Sequence, residues 1–181
     1  MVSDSKINIP FSKNFRSVRV IDSKTIQETA ARNVIELLQL VTGLDIRRRG
    51  ISGTQADLYI RGGGFDQTLL LIDGMKMDDI QTGHHTLNLL LPIQIIERIE
   101  IIKGPAARIF GQNAFSGAIN IVTKPLKKSS NKVVEIYAND ISYGSYDQFN
   151  YSIKMRTSIE DKFNSLISFH KAKSDGYRYN T

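Results

Sequence analysis

Ala56-Asp-Leu-Tyr-Ile60-Arg-Gly-Gly-Gly64-Phe-Asp-Gln-Thr68-Leu-Leu-Leu-Ile-Asp73-Gly74 is the stretch that decides how the first part of this chain folds. Ala56 to Arg61 reads as a strand, and the glycines after it invite comparison with a phosphate cradle. Phosphate loops lead from a strand into a helix whose N-terminus faces the anion. Here Thr68 to Asp73 is a second strand, and no Gly-Lys-Ser/Thr follows. A nucleotide site is therefore not expected. The glycines read instead as a flexible or ligand-facing turn, because glycine permits positive φ and close backbone approach.

Working outward, Val18 to Ile21 is a short β-branched strand. Asn33 with Glu36 resembles a capping pair ahead of Val34, Leu37, Leu38 and Val41, and Gly43 stands where a left-handed C-cap belongs. This spacing predicts a helix of about ten residues with one apolar face. Further strands are expected at 44–47, 95–102 and 118–123, punctuated by Asp73-Gly74 and Lys103-Gly104-Pro105. The result is a small α/β domain rich in glycine turns.

After Lys124 the composition changes. Eleven of the 13 glycines lie in residues 1–125, and nine of the 15 aromatic residues lie in the last 56. Lys124 to Asn131 is a polar, Pro-containing segment that reads as a linker, placing a boundary near 125–131. Between Asp147 and Thr157, Phe149, Tyr151, Ile153 and Met155 alternate with Gln148, Asn150, Ser152, Lys154 and Arg156. Phe163, Ile167 and Phe169 continue the pattern after a turn at 158–161, and Val134, Ile136 and Ala138 make a weaker first run. Three antiparallel strands of about ten residues follow. A soluble sandwich edge and an apolar-out membrane barrel wall share this alternation.

Composition excludes several functions. The formal charge is +6. It is spread evenly: 15 basic and 12 acidic residues in 1–125, nine and six in 126–181. Only Arg47-Arg48-Arg49 forms a tight basic run, so no nucleic-acid partner is expected. The absence of cysteine removes disulfides, thiolate catalysis and Cys-ligated zinc. The longest apolar stretch, Leu87 to Ile96, is too short and too interrupted for a membrane helix, and the N-terminus carries no apolar signal core. On a strand, His84 and His85 would point to opposite faces and chelate poorly, and Asp78-Asp79 reads as a solvated loop, so neither a metal nor another cofactor is expected. No nucleophile stands beside a base and no carboxylate pair suggests itself, so the chain is not read as an enzyme.

Taken in order, Leu58-Tyr-Ile-Arg-Gly62, Leu70-Leu-Ile-Asp-Gly74, Ile96-Glu-Arg-Ile-Glu-Ile-Ile-Lys-Gly-Pro105 and Gly117-Ala-Ile-Asn-Ile-Val-Thr123 resemble the plug domain of TonB-dependent outer-membrane receptors. The resemblance covers residues 18–124. It implies an α+β plug domain, with a small mixed sheet, short helices and Gly-rich loops, followed by the first antiparallel strands of a truncated transmembrane β-barrel. The domains are then an N-terminal extension (1–17), the plug (18–125), a linker (126–131) and about three strands of an incomplete barrel (132–181). Phe65 to Gly74, Gln81 to His85 and Gly104 to Ala114 look most like the cobalamin-transporter branch of that family.

The resemblance implies a part of an active transporter in the outer membrane, contacting its lipid through the barrel. The plug gates the barrel, and TonB, part of an energised inner-membrane complex, pulls on its N-terminal segment. Gly63, Gly64, Phe65, Asp66, Gln67, Gln81, His84 and His85 are expected to face the ligand. Backbone amides, Gln and His donors and one aromatic ring suit a neutral polar ligand such as cobalamin, whereas an anionic siderophore–iron complex would favour a basic pocket. Arg61 and Arg98 match plug arginines that pair with barrel glutamates and hold the plug. No TonB box is identifiable in 1–17, no signal peptide is present, and three strands cannot close a barrel of about 22. The chain is thus expected to be a fragment or truncated frame. The alternatives are a ferric-siderophore or other TonB-dependent receptor, a stand-alone soluble plug-like module, and a non-functional truncated product.

Overall fold

A computed structural model describes residues 17–50, 55–79, 81–89, 91–124, 133–145, 147–159, 162–173 and 175. The expected linker and nearly all of the N-terminal extension lie outside these residues. The chain divides into two compact units, Met1–Lys124 and Pro125–Thr181.

The first unit contains β1 (Ser17–Asp22), α1 (Ser23–Glu28), α2 (Val34–Gln39), β2 (Leu44–Arg48), β3 (Ala56–Ile60), β4 (Thr68–Ile72), β5 (Met75–Met77), β6 (Ile96–Lys103), α3 (Ala107–Phe110) and β7 (Gly117–Thr123). Three-residue 3-10 turns occupy Phe65–Gln67 and Ile93–Ile95. Five strands form one sheet in the order β1-β6-β7-β4-β5, in which β4 and β7 run parallel. β2 and β3 pair only with each other, as a separate antiparallel hairpin.

The expected helix exists but is shorter than its apolar spacing suggested, six residues in place of about ten. Asn33 Oδ1 accepts the Glu36 N–H at 2.9 Å, and Glu36 reaches back to the Arg32 N–H at 2.7 Å. Leu40 already bonds in the tighter 3-10 fashion to Leu37, which ends the helix. Two helices were not anticipated. α1 is started by Asp22, whose Oδ1 accepts the Thr25 N–H at 2.8 Å.

Val34, Leu37 and Leu38 of α2 are buried against Ile60, Leu70, Ile99, Ile101, Ile119 and Ile121. Leu69 and Leu71 turn the other way, onto Ala106, Ala114 and Ala118. β4 is thus covered on both faces, which is why it reads as an unbroken apolar run. Burying a large aliphatic side chain contributes about 1.5–3 kcal/mol, so these two clusters dominate the unit's stability. In β6 the pairing register shifts between Ile96 and Arg98. That irregularity keeps Ile96 and Ile99, three residues apart, both buried.

The β4–β5 connection is the Asp73-Gly74 pair, with φ of 50° and 77°. Two successive left-handed residues make the hairpin turn that matches strand twist, and Gly74 takes that conformation without cost. Asp73 also ties the turn to β7: Oδ1 accepts the Thr123 N–H at 2.8 Å and Oδ2 accepts the Thr123 hydroxyl at 2.7 Å.

The second unit is a three-stranded antiparallel sheet of β8 (Val133–Gly144), β9 (Gln148–Ile159) and β10 (Phe163–Lys173), in the order β10-β9-β8. Its register opposes Ile136 to Met155, Ile153 to Phe169, Ile141 to Tyr151 and Tyr143 to Phe149. Val134, Ile136, Ile141, Tyr143, Phe149, Ile153, Phe163, Ile167 and Phe169 are all exposed. The other face is polar, with Ser152 and Ser158 buried and Arg156 donating to Glu135 at 2.8 Å. The weak alternation of β8 has a cause: the register slips between Ala138 and Asp140. The slip returns Ile141 and Tyr143 to the face of Val134 and Ile136, which a strict two-residue period cannot do. No helix among the described residues is long and apolar enough to cross a membrane.

Candidate ligand-binding cleft

His84 and His85 do not lie on a strand; they sit in a run of turns after β5 that Asp79 organises. Asp79 accepts the Gln81 N–H at 3.2 Å through Oδ1. Its Oδ2 accepts the Thr82 hydroxyl at 2.6 Å and the His85 N–H at 3.3 Å. These donors, the Thr82 hydroxyl first, pull the Asp79 carboxyl down to about 2 against burial that opposes them. The segment is a loop with Asp78 exposed, and the Asp79 carboxylate holds its turn together.

Across from this turn, the 3-10 segment presents Phe65. Its ring lies 4.2 Å from the His84 ring at a 34° tilt and meets Tyr59 of β3 edge-on at 6.5 Å. The Arg47 guanidinium covers Tyr59 at 4.7 Å. Gly83 allows the close approach: it holds φ at 73°, and a Cβ there would stand 3.0 Å from Phe65 Cε2. Asp57, 4% exposed, accepts His84 Nδ1–H at 2.8 Å. Gln55 donates to its other oxygen at 3.4 Å. A buried carboxylate with a single strong partner depends heavily on that partner.

Between the two segments lies an open cleft of about 530 Å³. Phe65 and Asp66 line it, with Met77, Asp78, Asp79, Thr82 and Asn113 among the others. Of the eight residues expected to face a ligand, only these first two belong to the lining. His84 stands directly behind Phe65, and Gln67 is bound to the Ser116 N–H through its carbonyl at 2.9 Å. Met77, Asp78 and Asn113, which also line it, are not among those eight. The one available signal for Asn113 is its residue type, since Asn tolerates the left-handed conformation it adopts at φ 68°.

The two arginines differ. Arg61 is exposed at φ 51° and meets no acid among the described residues. It stands near Lys103, whose pKa is lowered by burial, then by Arg19 and Arg61, and whose ammonium donates to the Thr42 carbonyl. Arg98 is engaged within its own unit, donating to Glu100 at 2.7 Å and to Glu97 at 3.3 Å. Glu100 in turn accepts from Asn120 at 3.1 Å.

A mixed sheet with short covering helices, glycine turns and an open cleft, followed by antiparallel strands apolar on one face, defines a receptor plug joined to barrel-type strands. Residues 12–118 match the family described as the TonB-dependent Receptor Plug Domain, and the chain belongs to that family. Its place is therefore the outer membrane. Among curated relatives it is similar to the vitamin B12 transporter BtuB of Vibrio vulnificus (strain CMCP6), 32% identical over 141 residues, covering 76% of this chain and 22% of that protein. The BtuB of Vibrio cholerae serotype O1 (strain M66-2) is 29% identical over 177 residues, covering 98% of this chain and 28% of that protein. The chain thus spans about a quarter of the length of these relatives.

Among solved structures it resembles the alcaligin outer-membrane receptor FauA from Bordetella pertussis, with a TM-score of 0.70 and 17% identity over 97% of this chain and 29% of that one. The ferric yersiniabactin uptake receptor FyuA from Yersinia pestis gives a TM-score of 0.64 and 18% identity over 88% of this chain and 24% of that one. At these identities the likeness shows the fold. These relatives are transporters and receptors.

Proposed function

We propose that the chain is the N-terminal part of an active outer-membrane transporter, driven by TonB, whose cargo is cobalamin or a related corrinoid. The cleft carries this reading. Among the described residues its lining combines an aromatic ring, a thioether, hydroxyls, an amide and three carboxylates, with no Lys or Arg. Such a surface suits a neutral or cationic polar cargo and repels an anionic ferric chelate. The names of the curated relatives point the same way. The siderophore receptors among the structural neighbours favour a ferric-siderophore cargo as the second reading, on likeness of fold.

On this reading the apolar face of β8–β10 meets lipid, and the polar face meets the barrel lumen. Arg61 is the plug arginine available to barrel glutamates. Arg98 would have to exchange Glu97 and Glu100 for a barrel partner, or share it with them. Calorimetric titration of the 181-residue chain with cyanocobalamin, beside a ferric-siderophore control, tests the cargo. Saturable heat with cyanocobalamin alone is expected. Heat with the ferric siderophore alone would overturn the reading.

A further inference from the structure

We propose that Asp57 is a positioning residue for the cleft: through His84 it sets the place of Phe65, the one aromatic ring among the described residues of the lining. The inference rests on the reading of the cleft as the cargo site and adds what holds its wall. Phe65 stands between two spaces. On one side is the open cleft of about 530 Å³. On the other is an inner space of about 10 Å³, lined by Asp57, Leu58, Leu70 and Leu87 among others. Thr68, Gly83 and Thr86 border both. The inner space has room for no more than about one water molecule, so the ring cannot fall inward. The freedom left to Phe65 is toward the cleft.

Two rings take that freedom away. His84 lies over Phe65 at 4.2 Å, and Tyr59 meets it edge-on at 6.5 Å. Tyr59 stands on β3 itself, under the Arg47 guanidinium. His84 comes from the turn after β5 and lines neither space; its ring is held by the buried Asp57, which accepts Nδ1–H at 2.8 Å. Asp57 and Tyr59 are two residues apart and share one face of β3. One short strand therefore carries both jaws of the pincer on Phe65, Tyr59 directly and His84 through a hydrogen bond. The turn does not need that bond for its own closure. Asp79 already closes it, accepting from Gln81, Thr82 and His85. What the Asp57 bond adds is an imidazole fixed against the cleft wall, so that the wall is in place before a cargo arrives.

The test uses NMR of the 181-residue chain with ring-labelled phenylalanine, Phe65 being assigned from the signal that F65L removes. D57A should move the Phe65 resonances. D57N, whose amide oxygen still accepts Nδ1–H, should leave them in place. H84Q keeps a donor for Asp57 but no ring, and should move them as D57A does. Titrated with cyanocobalamin, D57A and H84Q should bind about two- to tenfold more weakly, the worth of one aromatic pair, and D57N should bind as wild type does. In an F65L background D57A should cost nothing further, because its effect passes through the ring. Unmoved Phe65 resonances in D57A and H84Q, or an equal loss of affinity from D57A with and without F65L, would overturn the positioning. Failure of wild type to bind cyanocobalamin would overturn the corrinoid reading, and the ring resonances would still decide the positioning. Thermal melts separate loss of the bond from loss of the fold; if D57A does not fold, H84Q carries the same comparisons.

Discussion

Asp73→Ala should destabilise the first unit by about 3 kcal/mol. Asp73 sits at φ 50°, a region that alanine enters at a cost of about 1 kcal/mol and that aspartate tolerates better. Its two oxygens accept the Thr123 N–H at 2.8 Å and the Thr123 hydroxyl at 2.7 Å, across 50 residues of chain. At a half-buried site each bond is worth about 1 kcal/mol net, and both are lost together. For a domain of about 100 residues, each kcal/mol lowers Tm by about 4–8 °C, so a fall of roughly 12–24 °C is expected. Asp73→Asn keeps the tolerance for left-handed φ and one acceptor oxygen, and should cost about 1 kcal/mol. Urea unfolding of a fragment spanning residues 17–125, followed by circular dichroism, measures both. Equal losses for the two variants, or a loss below about 1 kcal/mol for Asp73→Ala, would refute the argument that the side chain's two bonds staple the turn to β7.

A fragment of residues 1–125 should be soluble and unfold cooperatively, because its two apolar clusters are complete within it; a broad, non-cooperative melt with weak circular dichroism would count against this. The Asp79 carboxyl should titrate with a midpoint near 2, and Thr82→Val should move it up toward 3.8. Because the folded value is depressed, the stability it lends is present above about pH 4 and lost as pH falls through about 2, a window that carboxyl NMR resolves. Gly83→Ala should cost about 1–2 kcal/mol, since it forces left-handed φ on alanine and drives a methyl against Phe65; unchanged Phe65 and His84 ring resonances would contradict it.

Much of this was legible from the chain. Asp73-Gly74 announces its turn, because few other pairs accept two left-handed residues in succession. Asn33 announces its helix, because a side-chain acceptor is needed where backbone donors are orphaned. The alternation of Phe149 to Met155 announces a strand with one apolar face. The remainder depends on contacts between distant residues. Asp57 looks like one polar residue in a strand, and nothing local says that its partner is His84, 27 positions on. The slip in β8 is invisible for the same reason, since it is defined only by the register against β9. The bonds that Asp79 accepts are hidden too, because its donors come from the turn it creates. For Arg98, by contrast, Glu97 and Glu100 were adjacent in the sequence throughout, and two-residue spacing on a strand already placed Glu100 on its face.

The strand order β1-β6-β7-β4-β5 has a consequence for how the chain is made. Among the described residues β1 is the first strand in the chain, and its one neighbour in the sheet is β6, beginning at Ile96. β4 pairs in parallel with β7, which ends at Thr123. Until Lys103 has emerged only the short β2–β3 and β4–β5 hairpins and isolated helices can form, and the β1–β6 pair that can follow still lacks β7, which joins it to β4. The five-stranded sheet is therefore complete only once Thr123 is available. That delay is set by the order of the strands, because the segments that pair lie far apart in the chain.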